Sequence, residues 1–109
     1  MSEAEDMLAW QLRAADIPHS REYRFAPPRR FRADFYVRGR WADSDDARKG
    51  LLVEVDGGAF VGGRHSTGTG MENDCEKASL AAVAGYRVIR CTPRQVKSGE
   101  CLRWIEQAR

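Results

Sequence analysis

The stretch Leu-Leu-Val-Glu-Val-Asp-Gly-Gly, from Leu51 to Gly58, decides how this 109-residue chain folds. Its apolar, β-branched residues predict a buried β-strand that ends at two glycines. Because side chains alternate between the two faces of a strand, Glu54 and Asp56 share one face. Two carboxylates close together in a buried strand are costly unless a cation offsets their charge. The stretch therefore predicts a cation site at the end of this strand.

A second strand, Phe31 to Val37, has apolar residues on one face and carries Asp34 on the other. If the two strands pair through the connection Arg38 to Gly50, Asp34 stands beside Glu54 and Asp56. Carboxylates that close raise one another's pKa values, and a hard divalent cation such as Mg²⁺ relieves the repulsion. The alternative is a charged end of the sheet in which Glu54 and Asp56 pair with arginine.

Length and composition indicate one soluble globular domain over residues 1–109. Hydrophobic residues make up 42% of the chain and charged residues 31%, which are ordinary proportions for such a domain. No apolar run is long enough to span a bilayer, so we expect no membrane role. The acidic, polar start from Met1 to Asp6 does not resemble a secretory signal, and we expect an intracellular protein. The three cysteines lack Cys-x-x-Cys spacing, which favours reduced, mostly buried thiols.

The pattern of apolar residues predicts seven elements in the order α-β-β-β-α-β-α, and hence an α/β fold with a mixed central sheet flanked by helices. Ser2 is the expected cap of the first helix and Gly85 follows the second. The predicted elements are Glu3–Asp16, Arg21–Phe25, Phe31–Val37, Leu51–Gly58, Glu72–Ala84, Tyr86–Cys91 and Gly99–Arg109.

A glycine-rich loop, Gly57 to Gly70, follows the central strand and contains Arg64 and His65. Such a loop can approach phosphates closely, but no Gly-Lys-Ser or Gly-Lys-Thr closes it, so nucleoside triphosphate binding is not expected. His65 is a candidate general acid or base, or a phosphate donor, and the alternative is an ordinary polar loop residue.

These motifs together resemble the PD-(D/E)xK nuclease superfamily, which has the restriction-endonuclease-like fold. The similarity spans nearly the whole chain and is greatest to small phage and bacterial endodeoxyribonucleases related to very-short-patch-repair enzymes. It is carried by Arg-Ala-Asp-Phe at Asp34, Val-Glu-Val-Asp-Gly-Gly at Glu54, Gly-Gly-Arg-His at Gly62 to His65, Asp-Cys-Glu-Lys at Asp74 to Lys77 and Gly-Tyr-Arg-Val-Ile-Arg at Gly85 to Arg90.

The resemblance implies that Asp34 and Glu54, with help from the Val55 carbonyl, hold Mg²⁺ or Mn²⁺ for DNA hydrolysis. One position departs from the family pattern, because Asp56 stands where the family has a lysine. Some members carry that lysine on the following helix, which makes Lys77 the candidate. The alternative is that Lys77 is a surface partner of neighbouring helix residues, and His65 would then be the proton-transfer group.

The expected partner is DNA, and the expected location is the cytoplasm of a bacterium or of a phage-infected cell. Glu5 is either a first-turn acid that favours its helix or a further residue of the metal site. Two rival functions stay open, a binding module that has lost cleavage and a nuclease that acts on RNA. Target structure, nicking against double-strand cleavage and oligomeric state are left open as well. The arginines expected to contact phosphates are Arg29, Arg30, Arg32 and Arg64.

Overall fold

A computed structural model describes residues 2–40, 50–56 and 68–109 of the chain. The helices and strands follow the predicted order, with one additional short helix before the last. Among the described residues, no helix combines the length and apolarity needed to cross a membrane. The elements are α1 (Glu3–Ala14), β1 (His19–Arg24), β2 (Arg32–Val37), β3 (Leu51–Val55), α2 (Gly68–Val83), β4 (Arg87–Cys91), α3 (Pro93–Lys97) and α4 (Glu100–Ala108).

The four strands form one mixed sheet in the order β1-β2-β3-β4. The β1–β2 and β2–β3 pairs are antiparallel and the β3–β4 pair is parallel. The predicted pairing of the two acid-bearing strands is confirmed, since Phe35 lies opposite Val53 and Val37 opposite Leu51. Gly50 enters β3 where only glycine fits, because a Cβ there would collide with the Val37 carbonyl. The α/β class and the mixed, helix-flanked sheet are thus confirmed.

Helices cover both faces of this sheet, so β3 is buried on both sides. The larger core joins Leu51 and Val53 of β3 to residues of α1, α3 and α4. The smaller core joins Leu52, on the other face, to Ala81 of α2. Ala33 of β2 packs in this smaller core rather than with Phe35, so the apolar face predicted for β2 is divided between the two cores.

Two local predictions need correction. The predicted elements leave residues 92–98 without a helix, but α3 begins there with a reciprocal capping box in which the Thr92 hydroxyl accepts the Gln95 N–H. Cys91 and Cys101 are both buried and form a disulfide, so the expectation of reduced thiols is wrong for this pair. Helix α3 brings α4 back onto the end of β4 and leaves the two Cα atoms 6.0 Å apart, within the usual disulfide range. Cys75 is free and exposed, not buried as expected.

Candidate functional site

The centre of the candidate site is a pair of carboxylates where β2 and β3 separate. The β2–β3 register runs from Val37 opposite Leu51 to Phe35 opposite Val53, and one further step places Asp34 opposite Glu54. The backbone ladder does not continue there. Instead the Val55 N–H donates to Asp34 Oδ2 over 2.7 Å. Asp34 therefore terminates the pairing with its side chain, which fixes its carboxylate at the end of the sheet.

Partial burial makes both carboxylates reluctant to ionise. Burial raises the pKa of Asp34, the Val55 N–H opposes that rise, and the negative charges of Glu5 and Glu22 add to it. Burial likewise raises the pKa of Glu54, where Lys77 opposes the rise and Asp34 and Asp56 add to it. Each group thus has a higher pKa than a free carboxyl, because negative charge is concentrated in a place that water reaches poorly.

Lys77 lies at this pair. Its ammonium nitrogen is 2.5 Å from Glu54 Oε1, and 27% of the lysine side chain and 19% of the glutamate side chain are exposed. The charge of Lys77 also lowers the pKa of Asp34. The lysine therefore favours the ionised form of both carboxylates. The sequence allowed Lys77 to lie either beside Glu54 or on the surface with neighbouring helix residues. In the structure it lies beside Glu54.

One contact near the middle of α2 and another just beyond its C-terminal end hold Lys77 in this place. Near the lysine, Arg29 donates to Glu76 over 2.9 Å and ties the β1–β2 connection to the helix. Beyond the helix, the hydroxyl groups of Tyr86 and Tyr23 lie 3.0 Å apart. Ala81, four residues after Lys77, is buried against the sheet. Cys75, Ala78 and Ala82, small residues that would suit packing of this helix against a sheet, are exposed.

Asp56 does not join the acid pair in the expected way. Its Oδ2 accepts from Arg90 Nε over 2.7 Å, across the β3–β4 pairing. This is the arginine-paired arrangement that the sequence left open for Glu54 and Asp56, realised for Asp56 only. The expected convergence of Asp34, Glu54 and Asp56 is therefore reduced to a pair, and Asp56 acts on Glu54 only through its charge.

Two further acids lie near Asp34, one expected and one not. Glu5, in the first turn of α1, is close enough for its charge to raise the pKa of Asp34. Glu22 acts in the same direction and, by the β1–β2 register, stands opposite Asp34. Its φ of 53° is rare for a residue other than glycine inside a strand. Sequence reasoning missed Glu22, and its one available signal was a carboxylate in a predicted strand beside the strand of Asp34.

The arginines expected to bind DNA fall into three groups. Arg29 is engaged with Glu76 and also lies over the Phe31 ring, 4.8 Å from its centroid. Arg30 and Arg32 are exposed, and no carboxylate among the described residues pairs with either. Arg64 and the candidate base His65 lie outside the described residues.

Arg24 is not among the arginines that the sequence predicted to contact DNA, but it belongs with them in space. It lies directly opposite Arg32 in the β1–β2 register, both side chains are exposed, and Arg24 has no carboxylate partner among the described residues either. Like charges directly opposite each other destabilise a sheet. The pair is two residues along β2 from Asp34, so this cationic patch adjoins the acid centre.

The donor set at the acid centre fits a magnesium ion. Within the described residues, no group of three or more His, Cys, Asp or Glu side chains is arranged to hold a metal. Mg²⁺, however, is commonly bound by one or two carboxylates and completes its shell with water and substrate phosphate. Asp34 and Glu54 supply such a pair, and a bound cation would offset the cost of burying their charges, which is the largest cause of their raised pKa values.

Replacing Asp34 by asparagine should stabilise the metal-free protein at neutral pH. The folded protein binds a proton at Asp34 more tightly than the unfolded chain does, so wild-type stability falls as pH rises from the ordinary carboxyl pKa through the raised one. The asparagine side chain carries no charge, and its carbonyl oxygen still accepts the Val55 N–H. Thermal melts in EDTA should show the Asp34→Asn variant above wild type at pH 7, with the difference vanishing near pH 3, below the ordinary carboxyl pKa of about 3.9.

Glu106→Gln, at an exposed position of α4, is the control and should give no comparable gain. A melting temperature of Asp34→Asn at or below that of wild type at pH 7 would contradict the account of this acid pair.

Comparison with known proteins does not indicate a function for this chain. No family model, curated protein or solved structure matches the chain. A mixed α/β sheet flanked by helices hosts many unrelated activities, so the architecture alone does not select one. What the protein does must therefore be argued from Asp34, Glu54, Lys77 and the charges around them.

Proposed function

We propose that this protein is a metal-dependent endodeoxyribonuclease that hydrolyses DNA phosphodiester bonds. The observation that carries the proposal is the ion pair between Lys77 and Glu54. In the proposal, this lysine from α2 takes the part that the family pattern gives to a lysine from β3, and it lies beside the carboxylate of Glu54. The order of helices and strands agrees with the restriction-endonuclease-like core that the resemblance implies.

Each residue of the centre has a distinct part in the proposed reaction. Asp34 and Glu54 would hold Mg²⁺ or Mn²⁺, which when bound supplies charge neutralisation for the scissile phosphate. The Val55 N–H fixes the Asp34 carboxylate, so little rearrangement is needed when substrate arrives. The Lys77 ammonium opposes the rise in the pKa of Glu54 before the metal binds, and it would stabilise the negative charge that develops on the phosphate during cleavage.

The Arg24–Arg32 pair supports a nucleic acid as the substrate. Two opposed arginines with no carboxylate partner among the described residues are unfavourable in the free protein and become favourable when an anion bridges them. Their place two residues from Asp34 would hold a phosphate next to the one that is cut. Arg29 has a structural part instead, since it already pairs with Glu76.

Cleavage itself is the first test. Supercoiled plasmid incubated with the protein and Mg²⁺ should be nicked or linearised, and EDTA should prevent this. Asp34→Asn and Glu54→Gln should each show no detectable cleavage but retain or increase DNA affinity, because loss of a carboxylate removes the cation and also the repulsion of phosphate. Gel assays and fluorescence anisotropy measure the two properties. Wild-type turnover by either variant would refute the assignment of Asp34 and Glu54 to the cleavage site. DNA binding by the wild-type protein without cleavage would favour a pure binding module.

Lys77→Met should lower the cleavage rate by about 100-fold or more while leaving DNA affinity largely intact. Lys97→Met removes the same charge from an exposed position on α3 and should cleave like wild type. The double variant Lys77→Met with Glu54→Gln separates a structural role from a catalytic one. It should recover whatever stability Lys77→Met loses, because no buried charge is left unpaired, yet remain inactive. Near-normal cleavage by Lys77→Met would refute the part given to this lysine.

Replacing both Arg24 and Arg32 by Ala should weaken DNA binding and reduce its salt dependence. Each phosphate contact contributes about 0.9 to the slope of log K against log salt on duplex DNA, since a bound counterion is released. The matched control is Arg13→Ala with Arg103→Ala, two exposed arginines on α1 and α4, which makes the same change in net charge. If both double variants have the same salt slope as wild type, the Arg24–Arg32 pair does not contact DNA.

A further inference from the structure

A cavity of about 310 Å³ opens between α2 and the sheet beside the acid centre. Its apolar surface includes the ring of Phe25, Leu52 from β3 and Val88 from β4. Phe25 and Leu52 are buried, whereas Val88 is 45% exposed at the mouth. On the helix side, the small side chain of Ala78 lines the opening and is itself exposed. A largely apolar cavity with a few polar groups is the kind of recess in which proteins bind small, mostly apolar ligands.

Charged groups from both α2 and the sheet line this cavity, and Asp74 of α2 is one of them. Lys77 and Glu54 form one ion pair there, and Arg90 and Asp56 form the other. These groups include both hydrogen-bond donors and acceptors, which is the requirement for pairing with the polar edge of a nucleobase. The volume is at the lower limit of ligand pockets, roughly 300 to 1,000 Å³. It therefore suits a single ring system better than a larger ligand.

The cavity and the proposed cleavage site share Glu54 and Lys77. A nucleotide whose phosphate lies at the acid centre therefore has its base beside the cavity mouth. A base that is paired and stacked within a duplex cannot enter such a recess, whereas an unpaired base can leave the stack at small cost. Contact with the Phe25 ring and the apolar wall would then compensate for the lost stacking.

We infer that this cavity receives the base of an unpaired nucleotide adjoining the phosphate that is cut, an inference that rests on the proposed nuclease function. The substrate class is thus DNA with an extruded or unpaired base next to the cleavage point. The apolar floor holds the ring, and the Arg90–Asp56 pair meets its polar edge. In this way the protein distinguishes an unpaired base from a paired one, without contacting the neighbouring base pairs.

Two duplexes that differ only in one unpaired adenine test the inference. Fluorescence anisotropy in EDTA should show the wild-type chain binding the duplex with the unpaired adenine about tenfold more tightly, the effect expected for one stacked base. With 2-aminopurine as the unpaired base, its fluorescence should change on binding. In Mg²⁺, cleavage should occur next to the unpaired position.

Variants that fill the cavity from opposite walls provide the control on its location. Ala78→Leu on α2 and Val88→Phe on β4 should each bring the affinity ratio close to one and leave binding of the paired duplex unchanged. Ala82→Leu makes the same change as the first variant at an exposed position of α2 that does not line the cavity, and it should keep the wild-type ratio. Thermal melts verify that each variant is folded. If Ala78→Leu does not fold, Val88→Phe provides the test.

Equal affinity of wild type for the two duplexes would overturn the inference, as would a wild-type ratio in a folded cavity-filled variant. These outcomes are separate from failure of the proposed function, because binding is measured without metal. A protein that prefers the unpaired adenine but never cuts would keep the base site and lose the nuclease assignment. A protein that cuts both duplexes equally well would keep the nuclease assignment and lose the base site.

Discussion

The concentration of negative charge where β2 and β3 part is the constraint on which the site depends. Asp34 and Glu54 face each other across the sheet, and burial raises the pKa of each. A fold that only had to be stable would place apolar or neutral side chains here, since partly buried like charges oppose folding. The chain retains the acids and offsets them with the Val55 N–H and the Lys77 ammonium. Strain of this kind at one place is typical of a functional site.

Helix α2 carries the compensating cation, and much of the smaller core serves to hold that helix against the sheet. Ala81 is buried against Leu52 and Phe25. The contact between the Tyr23 and Tyr86 hydroxyl groups holds the chain just after the helix. The Arg29–Glu76 ion pair holds the part of the helix next to Lys77. A helix with larger inward residues would stand further from the sheet and leave the lysine short of Glu54. The site therefore depends on small-residue packing in the same core that leaves the adjoining cavity open.

Charges of both signs surround the acid centre, and under the proposed function they would meet an anionic polymer. The opposed arginines at Arg24 and Arg32 flank it on one side, and the Arg90–Asp56 pair lies on the other. The net charge of the whole chain is only +2, so the local arrangement rather than the total would guide a phosphate backbone. Under the proposed function, interleaved acids and bases would attract phosphates, and no arginine within the described part of the chain pairs with Asp34 or Glu54, the proposed metal ligands.

The sequence by itself determined the order of the elements and the meeting of Asp34 with Glu54. Both results follow from the two-residue period of a strand and from the adjacency of consecutive strands, which are local rules. The Ser2 cap of α1 was equally readable, because a cap depends on residues three positions apart.

Only the tertiary structure decided that Lys77 reaches Glu54, that Asp56 turns to Arg90 and that Cys91 bonds to Cys101. The orientation of α2, which sets where Lys77 lies, depends on the packing of the smaller core as a whole. Likewise, the Asp56–Arg90 pair depends on the parallel β3–β4 pairing and the disulfide on the turn through α3. Local periodicity states which face a side chain occupies, but the partner it meets there depends on how distant elements pack.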